Sequence, residues 1–179
     1  MVLGSENTIR ESRDWGQEYQ REPAVMETAK TILVVYHSQG GTMENLARRF
    51  VRGAAREQGI SIQLKRAADA RLEDLLGCSA IAIGSPEYFG TMAGLIKDFF
   101  DRTYEEARQR TVGLPYVVFV CGGNDGRGAL MQIERIASGY SWKKALEHVR
   151  ITGSPVEQDL VAVEELGQTL AAGIDFGIF

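Results

Sequence analysis

The sequence is poor in the residues that build disulfide frameworks and metal sites, with two cysteines and two histidines among 179 residues. Cys78 begins one predicted strand and Cys121 ends another. In a parallel sheet these ends lie at opposite edges, about 20 Å apart at about 3.3 Å per residue, whereas a disulfide needs Cα atoms within about 7 Å. We therefore expect two free thiols, as in a reducing cytoplasm. No zinc-ligand spacing is present, neither His37 nor His148 has a partner visible in the sequence, and no metal site is predicted.

Long apolar runs are also absent. No run approaches the roughly 18–20 apolar residues of a membrane-spanning helix, and the polar, acidic start has no secretory apolar region. We expect a cytoplasmic protein without membrane insertion. The net charge of −4 gives no basic footprint for nucleic acid, and a chain of this length fits one domain with its own core.

Residues 1–24 differ from the rest and are predicted to be a polar extension of a domain that covers residues 25–179. Trp15 and Tyr19, four residues apart, leave open a short helix that packs on a surface, and the alternative is a mobile segment. The extension holds five of the 24 acidic and three of the 20 basic residues, which leaves 19 and 17, so the domain is nearly neutral at −2.

Hydrophobic patterning after the extension alternates between strand and helix. Residues 32–36 form an unbroken, β-branched apolar run that is typical of a strand buried on both faces. A helical stripe follows from residue 44 to residue 54, with Gly59 as the predicted left-handed end of the helix. Further strands are predicted at 60–65 (an edge strand), 79–84, 116–121 and 145–151, with a polar crossover at 66–76 and helical faces at 92–104, 129–137 and 157–172. Five strands alternating with helices predict an α/β sandwich whose parallel sheet is covered on both faces.

Three polar or glycine-rich loops leave the carboxyl ends of predicted strands, at 37–43, 85–91 and 122–128. Ligands of open parallel sheets bind beyond those ends, where the strand order reverses. Three such loops converging on one crevice are much stronger evidence for a ligand site than any one of them.

The first loop has the composition of an anion site. Gly40 and Gly41 free the backbone, and the unpaired amides of the following helix point into the loop with the helix dipole behind them. The lysine of the nucleoside-triphosphate loop and the glycine pattern of the dinucleotide fold are both missing. Residues 38–43 are therefore predicted to hold a terminal phosphate monoester through amides and hydroxyls, without a salt bridge. The alternative is a tight turn with Thr42 as helix N-cap.

Together the three loops resemble those of flavodoxin-like flavoproteins, over residues 31–179. The motifs are HSQGGTME at 37–44, GSPEYFGTM at 84–92 and CGGNDG at 121–126. The nearest group is the NAD(P)H:quinone oxidoreductases once named tryptophan-repressor-binding proteins, together with short NADPH-dependent FMN reductases. The apolar Met43 favours that group over true flavodoxins, whereas Tyr88 and Thr91 stand where the group often has Arg and Asn. The resemblance implies a flavodoxin-like three-layer sandwich with a five-stranded parallel sheet in the order 2-1-3-4-5.

The resemblance also implies FMN as cofactor and NAD(P)H as co-substrate. In the family the first loop holds the FMN phosphate, the second lies along the isoalloxazine ring, and the third offers amides to its pyrimidine side. The implied cofactor-binding residues are Ser38, Gln39, Gly40, Gly41, Thr42, Met43, Ser85, Pro86, Glu87, Tyr88, Phe89, Gly90, Cys121, Gly122, Gly123, Asn124, Asp125 and Gly126. No catalytic side chain is implied, because the flavin carries the hydride chemistry. Tyr88 is a candidate for stacking on substrate, and Phe89 either flanks the flavin or is a core aromatic.

The implied function is an enzyme that takes a hydride from NAD(P)H and passes electrons to a quinone or another small acceptor. Its partners are then a small-molecule donor and acceptor, and a homo-oligomer, dimer or tetramer, is expected, although the chain lacks the long insertions linked with tetramers. The alternative is a flavodoxin-type electron carrier. Carriers tend to be strongly acidic, and a domain at −2 argues against one. A phosphorylation-switched receiver is excluded because the acidic residues it needs after the first and third strands are missing.

Overall fold

The computed structural model describes Met1 and residues 30–179. Its elements, in chain order, are β1 (Lys30–Tyr36), α1 (Thr42–Ala54), β2 (Ile60–Arg66), α2 (Leu72–Leu76), β3 (Ala80–Tyr88), β4 (Thr91–Met92), α3 (Gly94–Ala107), β5 (Pro115–Gly122), α4 (Arg127–Gly139), β6 (Lys143–Lys144), β7 (Val149–Thr152) and α5 (Glu157–Asp175). Among residues 30–179, no helix has the length and apolar character needed to cross a membrane. The predicted extension with Trp15 and Tyr19, and its boundary at residue 24, lie outside the described residues apart from Met1.

The sheet is built on parallel ladders in the order β2-β1-β3-β5. The fifth position is shared by β6 and β7, which both pair in parallel with the far side of β5. With these two short strands taken as one, the order is the predicted 2-1-3-4-5, and the flavodoxin-like fold class is confirmed. β2 lies at the edge, as its weak alternation predicted.

Successive residues of β1 serve two different cores, one on each face of the sheet. Leu33 and Val35 belong to the core that α3 and α4 cover, whereas Ile32 and Val34 belong to the core that α1 and α5 cover. Side chains of a strand point alternately to opposite faces, so an unbroken apolar run is what a sheet covered on both faces requires. Neither Cys78 nor Cys121 forms a disulfide, and both thiols are free, as predicted.

The third strand is longer than its sequence pattern indicates. β3 runs on past residue 84 to Tyr88, because β5 pairs beside it as far as Glu87 and Gly122. The chain then turns back, and β4 pairs with the same end of β3 in antiparallel direction, with Glu87 opposite Met92. The predicted loop 85–91 is therefore mostly a hairpin, and Met92 is part of a strand and not of the helical face.

The ends of α1 also differ from the prediction. The helix begins at Thr42 and its N-cap is Gly41, with φ +87°, so Thr42 is not the N-cap. The helix ends at Ala54, and Gly59 does not adopt a left-handed conformation. Gly59 is instead a point of close approach, because a Cβ there would lie 2.3 Å from Oδ1 of Asp175 at the end of α5.

His148 bridges the gap between the two short strands that share the fifth position. The main-chain N–H of Val118 in β5 faces this gap and donates a hydrogen bond to Nδ1 of His148 at 3.0 Å. An unpaired N–H inside a sheet is costly, so the imidazole replaces the missing strand carbonyl. Its side chain is only 2% exposed, with Nε2 3.4 Å from Oε1 of Glu134.

Helices α1 and α5 touch through their backbones. A Cβ on Gly53 would lie 1.8 Å from the carbonyl oxygen of Glu164, and one on Gly167 would lie 2.1 Å from that of Phe50. Each helix therefore offers a glycine where the other helix comes closest. Glu164 is buried beside this contact and pairs with three arginines of α1 and its C-terminal end, Arg49, Arg52 and Arg56.

We expect the helix contact to be sensitive to a single methyl group. Gly53→Ala should lower the free energy of unfolding by about 2–3 kcal/mol, because overpacking forces the two backbones apart. Gly94→Ala is the matched control, since a Cβ there meets nothing within 4 Å and alanine is the better helix residue. Urea unfolding of both variants measures the difference, and equal stabilities would contradict the contact.

We also expect an acid-sensitive contribution to stability from His148. Burial, followed by the charge of Lys144, lowers its pKa from 6.5 to about 4 in the folded chain. The unfolded chain then binds more protons between pH 6.5 and about 4, so the contribution is complete above pH 6.5 and is lost as the pH falls through that window.

The expected loss is of order 2–3 kcal/mol. His148→Gln keeps a side-chain oxygen that can accept from Val118, and it removes the titration. Urea unfolding of both proteins is measured between pH 7.5 and pH 4. The difference between their free energies of unfolding at each pH isolates His148, because the other titrating groups are the same in both proteins. Identical pH profiles for the wild type and His148→Gln would refute the assignment.

Candidate functional site

A cavity of about 400 Å³ opens at the carboxyl ends of β1, β3 and β5. It is lined by parts of all three predicted loops and of one further loop: Ser38, Gln39, Gly40, Thr42, Met43, Pro86, Glu87, Tyr88, Cys121, Gly122, Gly123, Gly153, Ser154 and Pro155. The convergence follows from the sheet, because parallel strands bring their carboxyl ends to the same edge.

The first loop turns the start of α1 toward the cavity. Gly41 has a left-handed conformation, and its carbonyl accepts the first helical hydrogen bond, from the amide of Asn45 at 2.9 Å. The amide of Gly41 donates to Oγ of the buried Ser38 at 3.1 Å, which fixes the turn. The Ser38 hydroxyl keeps its own proton to donate. Helix amides and a hydroxyl at one spot are what a phosphate site needs.

A cation that the sequence analysis missed stands beside this loop. Nη1 of Arg66, the last residue of β2, donates to the carbonyl of Ser38 at 3.3 Å. Its Nη2 pairs with Oε2 of Glu44 at 2.6 Å, and the guanidinium lies 5.6 Å from the centre of the Tyr36 ring. The hydrogen bond from Arg48, with the charge of Arg66, holds the pKa of Glu44 below its usual value. The loop itself carries no Lys or Arg, but the guanidinium of Arg66 is held behind it by Ser38 and Glu44.

His37 connects the first loop with the second. Its ring meets the Tyr88 ring edge to face, with centroids 6.3 Å apart. Burial, followed by the charge of Arg66, lowers the pKa of His37. The neutral imidazole is therefore the favoured form at neutral pH.

Ser85 does not reach the cavity, although the resemblance implied a cofactor contact. It is fully buried in β3, and its Oγ donates to the carbonyl of Pro86 at 2.9 Å and accepts from the amide of Ala93 at 3.0 Å. The hydroxyl thus fastens the start of α3 to β3, and the contact with the cavity passes to the residues that follow.

Phe89 and Gly90 form the tip of the β3–β4 hairpin and do not line the cavity. Both have positive φ, +52° and +73°. Phe89 is fully exposed, so the alternative of a core aromatic is wrong. Tyr88, one residue earlier, is half-buried and lines the cavity, as the sequence analysis expected.

The third loop contributes only its first residues. Cys121, Gly122 and Gly123 line the cavity, whereas Asn124, Asp125 and Gly126 do not. Gly126 is instead the left-handed N-cap of α4, and Oδ1 of Asp125 accepts from the amide of Arg127 at 3.0 Å. These residues shape the beginning of a helix beside the cavity.

Cys121 is buried at the floor of the cavity, and its Sγ donates to the carbonyl of Gly153 at 3.3 Å. Burial, followed by the charge of Asp159, raises the pKa of the thiol. Since the thiolate is the reactive form, Cys121 stays protonated at neutral pH and acts as a small wall residue.

A fourth loop, absent from the sequence analysis, completes the cavity. Gly153, Ser154 and Pro155 follow β7, and the amide of Gly153 donates to the carbonyl of Gly122 at 2.7 Å. The dipeptide signal of a turn, Ser-Pro after glycine, stands directly after the predicted fifth strand. The carboxyl end of the predicted fifth strand lies at the same edge of the sheet as the other three, so this loop could have been predicted from the sequence.

The strand order and the helices on both faces of the sheet define a flavodoxin-like fold. A solved archaeal flavodoxin aligns with a TM-score of 0.72 at 22% identity, covering 81% of this chain and 99% of that one. A flavodoxin, WrbA-like protein from Agrobacterium tumefaciens aligns with a TM-score of 0.65 at 17% identity, covering 82% and 98%. At these identities the likeness shows the fold.

Sequence comparisons add relatives of two kinds. The family model described as NADPH-dependent FMN reductase matches residues 62–146. A flavodoxin from Aquifex aeolicus is 28% identical over 156 residues, covering 78% of this chain and 84% of that protein. An NAD(P)H dehydrogenase (quinone) from Acidithiobacillus ferrooxidans is 32% identical over 112 residues, covering 50% of this chain and 55% of that protein. The predicted resemblance to flavodoxin-like flavoproteins is confirmed, and the comparisons support FMN as the cofactor.

We expect Gly41→Val to weaken FMN binding at least about tenfold. A Cβ at this position meets nothing within 4 Å, so steric crowding is not the reason. The reason is the φ of +87°, which a β-branched residue does not tolerate and which aims the first amides of α1. Fluorescence titration of the apoprotein with FMN measures the effect.

Gly113→Val is the matched control for this experiment. Gly41 does not line the cavity itself, but it lies between the lining residues Gly40 and Thr42. Gly113 also has a positive φ, +79°, and free space around its Cβ, but it lies between α3 and β5, outside the loops that line the cavity. Both variants therefore suffer the same kind of backbone strain, and only Gly41→Val should change the affinity for FMN. An equal affinity in the two variants would show that the first loop is no phosphate site.

Proposed function

We propose that this protein binds one FMN in the cavity and acts as an oxidoreductase, taking a hydride from NAD(P)H and passing electrons to a quinone or another small acceptor. The observation that carries the proposal is the open cavity itself. A helix N-terminus suited to phosphate, the aromatic side chain of Tyr88 and the glycine backbone at 122–123 converge there, at the carboxyl edge of a flavodoxin-like sheet.

The first loop suits the phosphate end of FMN. Ser38 and Thr42 offer hydroxyls, and Gly40 and Gly41 leave the first amides of α1 uncovered by side chains. The helix dipole favours a dianion at this end. Arg66 adds positive charge from behind the loop, although Glu44 neutralises part of it.

The other walls suit the ring system of FMN. Tyr88 adds an aromatic side chain next to Pro86, and Gly122 and the exposed Gly123 line the cavity without side chains, so that a ring can approach their backbone. Bound FMN supplies the hydride chemistry. The residues of the chain orient it, and the buried thiol of Cys121 forms part of the floor without titrating at neutral pH.

Two observations favour an enzyme over an electron carrier. The domain from residue 25 onward has a net charge near −2, which is weak steering for a basic protein partner. The chain also resembles NAD(P)H dehydrogenases (quinone) and the NADPH-dependent FMN reductase model. The carrier remains the second candidate, because the similar Aquifex aeolicus flavodoxin matches over 84% of its own length. The homo-oligomer and the cytoplasmic location stay predictions.

Anaerobic reduction by nicotinamide nucleotides decides between the two candidates. We expect the flavin absorbance of the FMN-loaded protein to bleach within seconds after excess NADPH or NADH is added, because hydride transfer needs only a stacked nicotinamide. Dithionite serves as the control for a reducible flavin. A flavin that dithionite reduces, but that neither nucleotide reduces over many minutes, would favour the carrier.

A further inference from the structure

Glu87 lies where the walls of the cavity meet. The backbone of Glu87 pairs with Gly122 in β5 on one side and with Met92 in β4 on the other. Oε2 of its carboxylate accepts a hydrogen bond from the amide of Ala129, in the first turn of α4, at 2.9 Å. One side chain therefore joins the second loop to the helix that follows the third loop.

The packing around Glu87 leaves its side chain little freedom. A Cβ on Gly122 would lie 2.9 Å from Cβ of Glu87, and one on Gly128 would lie 3.2 Å from its Oε2. The two glycines let the third loop and α4 close over the carboxylate. Its position is thus fixed by backbone on both sides.

Glu87 also determines the charge of the cavity wall. Among the described residues that line the cavity, it is the only one with a charged side chain. Arg66 lies behind the first loop and pairs with Glu44, so it does not oppose the carboxylate inside the cavity. A small molecule that enters the cavity therefore meets a negative wall.

We propose that Glu87 is a positioning and specificity-determining residue, which locks the second loop to the start of α4 and makes the site select uncharged electron acceptors over anionic ones. The selection of uncharged acceptors rests on the proposed function. The hydrogen bond by which Glu87 holds the second loop to α4, which we call the lock, does not depend on it. Like charges repel across a partly desolvated cavity more strongly than in bulk water. Among the described residues, no side chain that lines the cavity carries a positive charge that would offset this repulsion.

Two variants separate the lock from the charge. Glu87→Gln keeps a side-chain oxygen that can accept from Ala129, but it carries no charge. Glu87→Ala removes both the acceptor and the charge. We expect Glu87→Ala to unfold at a lower temperature than Glu87→Gln in the ligand-free protein. Equal unfolding temperatures for these two variants would overturn the lock, whether or not the protein binds a flavin.

The effect of the Glu87 charge on the choice of acceptor is tested with flavin that has been reduced chemically. FMN-loaded protein is reduced with one equivalent of dithionite and mixed in a stopped-flow instrument with 1,4-benzoquinone or with its sulfonate, so no nucleotide is needed. We expect Glu87→Gln to raise the ratio of the sulfonate rate constant to the benzoquinone rate constant about fivefold at low salt. Taking the ratio cancels the difference between the two quinones and any change in flavin potential.

Glu105→Gln is the matched control, since Glu105 is an exposed residue of α3 outside the cavity. Its ratio should equal that of the wild type, and 0.5 M salt should shrink the effect of Glu87→Gln. A ratio that Glu87→Gln leaves unchanged would overturn the selection. A protein whose quinone ratio responds as expected, but whose flavin no nucleotide reduces, would contradict the proposed reductase and still support the role of Glu87.

Discussion

The parallel pairing of β3 with both β1 and β5 is the constraint on which the rest of the structure depends. Tyr36 lies opposite Gly84 in one ladder, and Glu87 lies opposite Gly122 in the other. These two registers bring the ends of three strands to one edge of the sheet. The loops that leave those ends therefore lie side by side at that edge. Neither ladder can shift by one residue without exchanging the two cores, because neighbouring residues face opposite sides.

The charges around the cavity follow from the same arrangement. β2 ends beside β1, so its last residue, Arg66, lies behind the first loop. Glu44 in the first turn of α1 holds that guanidinium in place. On the opposite side, β3 and β5 bring Glu87 against α4. The cavity is thus electropositive at the helix N-terminus and negative at the far wall, a polarity that suits a cofactor with a phosphate at one end.

The sequence predicts the parts of this fold that depend on local pattern. The apolar run at 32–36, the helical stripe of α1 and the first glycine-rich loop are all visible in windows of a few residues, and they lie where they were expected. Pro86 obscured the true length of β3, since proline within a run argues against a strand. Gly59 looked like a helix end because its close contact with Asp175 cannot be seen in a local window.

Two of the features that escaped prediction depend on pairs that are distant in sequence. Arg66 meets Ser38 across 28 residues, and His148 meets Val118 across 30. Ser85 was assigned to the cavity by its motif, but its bond to Ala93 directs it into the protein. Motif position identifies the loop that forms a site, whereas the side chains that reach the site are decided by the tertiary contacts of each residue.

The contact between α1 and α5 has a consequence for how the protein is made. Residues 42–54 and 157–175 cover the same face of the sheet, and Gly53 and Gly167 let their backbones touch. During synthesis the ribosome releases α1 long before α5. The helix whose N-terminus borders the cavity therefore has one side uncovered until α5 has been released, so we expect the first loop to become rigid late in the folding of the nascent protein.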